Sequence, residues 1–496
     1  MTFSSQESNA FKLNSLKAYP LVLYNLLIFF ALWFLMPVWV GYLLMTPKAR
    51  AGFFSKLGVY PKAFIAQLNV KPAGIKRVWI HCVSVGELNA IRPLAESLIA
   101  TEFIQVVLTT TTLTGQTLAK KLYPEWPVTY FPYDLRGCLQ SSLEAIRPDL
   151  ILLTETELWP NFIFTASQVF EIPVLTINGR ISPRSFKGYR KIKPLMRLLF
   201  HWIDHIYVQS GGDGERIQGL GALPEKVTVT GNVKFDIQPK PTQDGLAQEL
   251  LRILNLQAGQ NLLVLASTHQ GEDGPLVEAA MALENAVIVL APRHPERTPD
   301  IESLFSSRGI QTVRRSDLGQ KGQVRPEPIQ VVILDTIGEL QALYGLSKLA
   351  VIAGSFEKIG GHNPLEALVA GVPVLYGPHM HNFPDIARLV EAYDAGESVT
   401  DANALGLALK RLWQDSERLQ QMSQNGLKLL AEHQGATQRL ESSVLQYLGL
   451  STMRVGNSAA DYTISERSDT SSPNGNAVIS FADLLQQEQK QAGEGD

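Results

Sequence analysis

Residues Ala350 to Leu368 read A-V-I-A-G-S-F-E-K-I-G-G-H-N-P-L-E-A-L. The apolar run Leu349 to Ala353 predicts a buried strand, and the glycine-bearing loop after it leads into a helix start. Asn363 suits an N-cap, Pro364 the first helical position, and Glu366 the acid of a capping box. Glycines at 360 and 361 would let a ligand approach backbone N–H groups, and a helix N-terminus favours negative charge. The stretch therefore reads as a phosphate site at the end of a parallel strand. It is neither G-x-G-x-x-G nor a Walker A loop, which argues against a dinucleotide enzyme or a kinase-like ATPase. An ordinary capped helix after a glycine turn is the plain structural alternative.

Outward from this stretch, short apolar runs alternate with helical patterns. Expected strands begin at Arg77 and recur at Phe103–Thr109, Val128–Phe131, Leu150–Thr154, Val174–Ile177, Ile206–Gln209 and Val227–Thr230. Asp236 to Asp244 is polar and proline-bearing and reads as a linker. The alternation then restarts at Leu262–Ala266, Ala286–Leu290, Gln311–Val313, Gln330–Leu334, Leu349–Ala353 and Val372–Leu375. This predicts an α/β protein with two doubly wound, Rossmann-like domains facing a cleft, ligands lying at the carboxyl ends of the strands. The expected division is 1–50, 51–240, 245–450 and a low-complexity, disordered tail over 451–496 that carries one short apolar patch at Val478–Leu485. A chain of 496 residues is too long for one ordinary core and agrees with more than one domain.

Tyr19 to Leu44 contains no charged residue and is long enough to cross a bilayer, which takes about 20 residues. It predicts a membrane anchor. A span is the first expectation, and a helix lying in the interface is the alternative. Lys48, Arg50, Lys56 and Lys62 follow the run, so the positive-inside rule puts the large C-terminal part in the cytoplasm. A net charge of −3 gives no global attraction to nucleic acid. Cys82 and Cys138 form neither a C-x-x-C nor a Cys/His cluster, which speaks against a disulfide framework or zinc site. No D-x-D pair of the kind that holds a metal–diphosphate is found. Arg180 to Arg197 carries seven basic residues and no acid, with Phe186, Tyr189, Leu195 and Met196 interleaved. It suits anionic headgroups, a solvated helix face being the plain alternative.

Several strand ends carry candidate chemistry. Glu87 follows V-S-V-G at a helix start, where it is a dipole-complementing acid or a general base. In T-E-T-E-L-W-P-N, Glu155 and Glu157 leave a core strand, and in an extended chain residues two apart share a face. Lys234 lies just before the linker. In the second half, Arg293 follows Pro292 at a strand end, where a guanidinium recognises phosphate. Thr336 and Glu339 have capping-box spacing, with Ile337 and Gly338 between them, so Glu339 is either structural or ligand-facing.

Taken together, the apolar N-terminal segment and the ordered strings V-S-V-G-E, P-Y-D-L, E-T-E-L-W-P-N, V-T-G-N-V-K-F-D, S-T-H-x-G-E, P-R-H-P-E-R, D-T-x-G-E-L and G-G-H-N-P-L-E-A resemble the 3-deoxy-D-manno-octulosonic acid (Kdo) transferases of lipopolysaccharide assembly. The resemblance runs from about residue 20 to 440. It implies a GT-B fold and inverting transfer of Kdo from CMP-Kdo to a lipid A precursor (lipid IVA) at the cytoplasmic face of the inner membrane. It implies Glu87 as general base, with Glu155 and Lys234 stabilising the transition state. It places CMP against Pro292, Arg293, Ile337, Gly338, Glu339 and the run Asn363, Pro364, Leu365 and Glu366. No metal, cofactor or nucleic acid is implied. Cys82 stands where serine is common, and Ile337 where methionine is common; neither change removes a group the chemistry needs. The alternatives are another GT-B glycosyltransferase, a nucleotide-sugar epimerase, or an idle membrane-tethered nucleotide-sugar binding protein.

Overall fold

The computed structural model describes residues 19–46, 50–69, 74–237 and 245–450. The chain forms two compact units. Most of the expected linker and all of the expected tail lie outside the described residues.

The sheet of the first unit runs β3-β2-β1-β4-β5-β6-β7, with every pair parallel. Its strands are β1 (Lys76–Cys82), β2 (Ile104–Thr110), β3 (Val128–Tyr130), β4 (Leu150–Thr154), β5 (Val174–Gly179), β6 (His205–Val208) and β7 (Val227–Val229). Both faces are covered, as a parallel sheet requires. Alternation along β1 assigns each side. Val78 and Ile80 pack on one face with Leu88, Leu440 and Val444, while Trp79 packs on the other with Phe131, Ile151 and Phe162.

Leu440 and Val444 belong to the helix Ala436–Tyr447, which lies in the stretch expected to complete the second domain. The structure places it in the first unit. Asp236 explains the attachment: its carboxylate accepts from the backbone N–H of Gly435 at 2.6 Å and from that of Thr437, so it caps this helix from 199 residues away.

The second unit repeats the pattern in the order β10-β11-β9-β8-β12-β13-β14, again all parallel. Its strands are β8 (Asn261–Thr268), β9 (Ala286–Pro292), β10 (Thr312–Arg314), β11 (Val331–Ile333), β12 (Ser347–Ile352), β13 (Val374–Tyr376) and β14 (Gly396–Ser398). Leu265, Leu290, Ile333 and Val351 pack with Leu405, Leu409 and Trp413 of the helix Ala402–Gln414. The short edge strand β14 was not expected, because G-E-S has no apolar run to announce it.

A helix of 27 residues, Tyr19–Met45, precedes the first unit's sheet. Its stretch Tyr19–Gly41 is the one helix among the described residues long and apolar enough to cross a membrane.

Candidate active site

In the first unit, β1 ends at Cys82 and the helix Val85–Ala100 begins three residues later. Ser84 is its N-cap, and the Ser84 hydroxyl accepts from the Glu87 N–H at 3.4 Å. Glu87 in turn accepts from the Val83 N–H at 2.8 Å, one residue before the cap, so its side chain folds back over the helix start. The Thr154 hydroxyl, at the end of the neighbouring strand β4, lies 2.7 Å from the same Glu87 oxygen and 2.8 Å from the His81 carbonyl. Glu87 is thus both a helix-start acid and a partly exposed carboxylate fixed between two strand ends.

Glu155 adopts a left-handed φ of 52°, an uncommon conformation for a residue with a Cβ. The sequence expectation of an extended chain through Glu155 and Glu157 is therefore corrected: the strand stops at Thr154 and the backbone turns. Glu155 meets Lys234 at 3.8 Å, with each side chain about three-quarters buried. Lys234 sits in a single turn, Val233–Phe235, held at its start by Asn232, whose side chain accepts from the Lys234 N–H at 3.0 Å. Burial raises the Glu155 carboxyl above the usual range, Lys234 opposes the rise, and Glu87 adds to it. Glu157 is pushed up to about 7 by burial, then by Glu87, and Glu155 adds a smaller push. Trp159 donates to it at 2.9 Å. Three carboxylates and one ammonium therefore gather at the carboxyl ends of β1 and β4, where charge must be shared or neutralised.

In the second unit, Pro292 is buried at the end of β9; Arg293 beyond it donates its backbone N–H to the Thr268 carbonyl at 3.0 Å, and its exposed guanidinium has no hydrogen-bond or ion-pair partner among the described residues. His269 and His362 face each other with ring nitrogens 2.9 Å apart and rings stacked at 5.2 Å. Gly354 permits this approach, since a Cβ there would lie 2.8 Å from the His362 ring. His362 is lowered to about 4 by burial, then by Arg293, His269 and His294. His269 is lowered by burial too, although Glu272 pulls the other way. These groups make a cationic corner with neutral imidazoles, suited to an anion.

Glu272, only 2 % exposed, organises the surrounding loop. Its carboxylate accepts from the N–H groups of His269 (2.9 Å), Gly354 (2.8 Å) and Phe356 (3.0 Å). S-T-H-Q-G-E was visible as a polar turn, but nothing in the sequence paired His269 with His362 or Glu272 with Gly354.

The glycine loop departs from expectation. The N–H groups of Gly360 and Gly361 already donate to the Gly354 carbonyl, at 3.1 and 2.7 Å. A Cβ at Gly360 would strike Asn382, and one at Gly361 would strike Met380. The protein's own packing demands these glycines, and their N–H groups are spent. The helix is a single turn, Leu365–Leu368, capped one residue later than expected at Pro364. Asn363 accepts from the Leu365 N–H at 3.2 Å. Leu365 is fully buried and Glu366 partly exposed.

Glu339 is held by Arg315 at 2.8 Å and by the Thr336 hydroxyl at 2.8 Å, and its helix, Leu340–Leu346, starts after it. Its side chain is committed to the protein. Beside it Ile337 is 89 % exposed, and Gly338 has a φ of +102° with open space where a Cβ would stand. That turn is free to meet a ligand.

Residues 50–237 match a family model described as 3-deoxy-D-manno-octulosonic-acid transferase (kdotransferase). The 3-deoxy-D-manno-octulosonic acid transferase of Haemophilus influenzae is 34 % identical over 413 residues, covering 81 % of this chain and 93 % of that protein. The chain belongs to the Kdo transferase family. The enzyme of the same name from Bordetella pertussis is 34 % identical over 390 residues, 75 % of this chain and 87 % of its own. A glycosyltransferase structure from Rickettsia africae, 13 % identical, superposes with a TM-score of 0.51 over 76 % of this chain and 99 % of its own, and agrees in fold. This Kdo transferase is a glycosyltransferase of lipopolysaccharide biosynthesis with two GT-B type α/β domains.

Proposed function

We propose that the chain moves Kdo from CMP-Kdo to a lipid A precursor, lipid IVA, at the cytoplasmic face of the inner membrane. The observation that supports this most is the fixed carboxylate of Glu87 in a family whose reaction needs an alcohol deprotonated. Glu87 takes the proton from a glucosamine hydroxyl of the acceptor as that oxygen attacks the anomeric carbon. CMP leaves from the opposite face, and the configuration inverts. General-base catalysis of this kind contributes about 10² to 10⁴-fold. Glu155 and Lys234 stabilise the charge that develops on the sugar and the leaving group. Arg293 meets the phosphate. Pro292, Ile337, Gly338 and the run Asn363 to Glu366 shape the CMP pocket, with Glu339 acting by holding the 336–338 turn. The proposed domain roles are acceptor binding in the first unit and CMP-sugar binding in the second.

The test supplies CMP-Kdo with and without lipid IVA, follows CMP release and weighs the lipid by mass spectrometry. The expected result is CMP release that depends on acceptor, with the lipid gaining Kdo. CMP release without lipid, or another activated sugar used in preference, would replace the reading.

A further inference from the structure

The long apolar helix Tyr19–Met45 touches the first unit near both of its ends. At its start, Leu21 is 4 % exposed and packs in the same core as Met196, Leu199 and Phe200. One turn on, the Tyr24 hydroxyl donates to Asp134 at 2.9 Å. Asn25 and Asn161 exchange two amide hydrogen bonds, at 2.9 and 2.8 Å. Asp134 is itself fixed by the Phe162 N–H at 2.7 Å. Toward the other end, Trp39 stands 6.1 Å from the Tyr133 ring and 5.7 Å from Phe53, ring centre to ring centre. Tyr133 in turn donates its N–H to the Lys56 carbonyl at 2.8 Å.

Leu21 and Trp39 are about 27 Å apart along a helix. That nearly equals the hydrocarbon thickness of roughly 30 Å. A helix that crosses a bilayer must leave one end on the far side, yet here both ends rest on the same folded unit. The rest of the helix is bare: Leu27, Phe30, Trp33 and Phe34 are each more than half exposed. The helix Lys193–Trp202 that packs beside it continues a basic run. Arg184, Lys187, Arg190, Lys191, Lys193 and Arg197 are all exposed. Apolar rings next to unopposed cations complement one surface, the acyl and headgroup layers of an anionic leaflet.

We infer that the N-terminal helix does not span the bilayer but lies in one anionic leaflet, latched to the catalytic unit by Tyr24–Asp134 and Asn25–Asn161. This rests on the membrane part of the proposed function. Both chain segments flanking the helix then stay on the cytoplasmic side. The latch also keeps the two polar side chains, Tyr24 and Asn25, out of hydrocarbon, where neither would find a partner.

The test places a single cysteine before the helix, Ser5→Cys, in a Cys138→Ser background. Cys82 is fully buried and does not compete. A membrane-impermeant maleimide is applied to spheroplasts before and after permeabilisation. Labelling only after permeabilisation, with the protein in the membrane fraction, is the expected result. Labelling of intact spheroplasts shows a span and overturns the inference while leaving the proposed transfer reaction untouched. Recovery of active protein in the soluble fraction overturns the inference and the membrane part of the proposed function together.

Discussion

Thr154 and Glu87 meet across two neighbouring parallel strands, hydroxyl to carboxylate at 2.7 Å. β1 and β4 are bonded in register from Val78–Leu150 to His81–Leu153, so their ends deliver the two side chains to one point. The contact fixes the Glu87 carboxylate without burying it. Replacing Thr154 by Val keeps the shape and removes the hydroxyl. The expected loss is about tenfold in kcat with donor KM little changed, against a loss of about 10² or more for Glu87→Gln with donor binding retained. Steady-state transfer kinetics and CMP-Kdo titration of each variant check both.

The Arg293 guanidinium has no hydrogen-bond or ion-pair partner among the described residues of its unit, so its removal leaves no buried charge behind. Arg293→Ala is expected to raise the donor KM by about 10 to 100-fold, to leave thermal stability within about 0.5 kcal/mol, and to spare kcat more than KM. An unchanged donor KM would remove it from the site.

Glu157 is held up to about 7 chiefly by burial. The folded chain therefore binds this proton more tightly than the unfolded one. Between the ordinary glutamate value and about 7, stability falls as pH rises. Glu157→Gln should be more stable than the parent at pH 8, by about 1 to 3 kcal/mol, and no different at pH 4. Denaturant midpoints at the two pH values measure it.

His81 carries the opposite sign. It is fully buried against Phe131, rings 3.8 Å apart, and burial lowers it to about 3. The unfolded chain takes up this proton first, so stability is fully present above the ordinary histidine value. It is lost as pH falls from there toward 3, by a few kcal/mol. His81→Phe should flatten the stability profile across that window, read as melting temperature against pH.

The alternation of apolar runs foretold thirteen of the fourteen strands among the described residues, because a parallel strand buried on both faces must be apolar throughout. It also located the strand ends that carry Glu87, Glu155 and Arg293. What it missed depends on contacts between distant residues. The Gly360–Gly361 pair looks like a phosphate cradle until Asn382 and Met380 are seen to fill the space. The helix Ala436–Tyr447 looks like the end of the second domain until Asp236 is seen at its N-terminus. Glu157 looks like a spare acid until burial and the charge of Glu87 set its proton affinity.

Asp236→Ala leaves the N–H groups of Gly435 and Thr437 without their acceptor. A loss of about 1 to 3 kcal/mol in the first unit is expected, seen as a lowered first transition in calorimetry while the second unit melts as before.

The same return of the chain sets an order of assembly. Residues 436–447 leave the ribosome after the segment 245–433 of the second unit, yet they cover the face of β1 that Val78 and Ile80 present. The unit encoded first can be finished only last, whereas the contiguous segment from 245 to 433 can close on its own as it emerges. Until then the nascent protein carries an open apolar face, where a chaperone bound during synthesis would find its target.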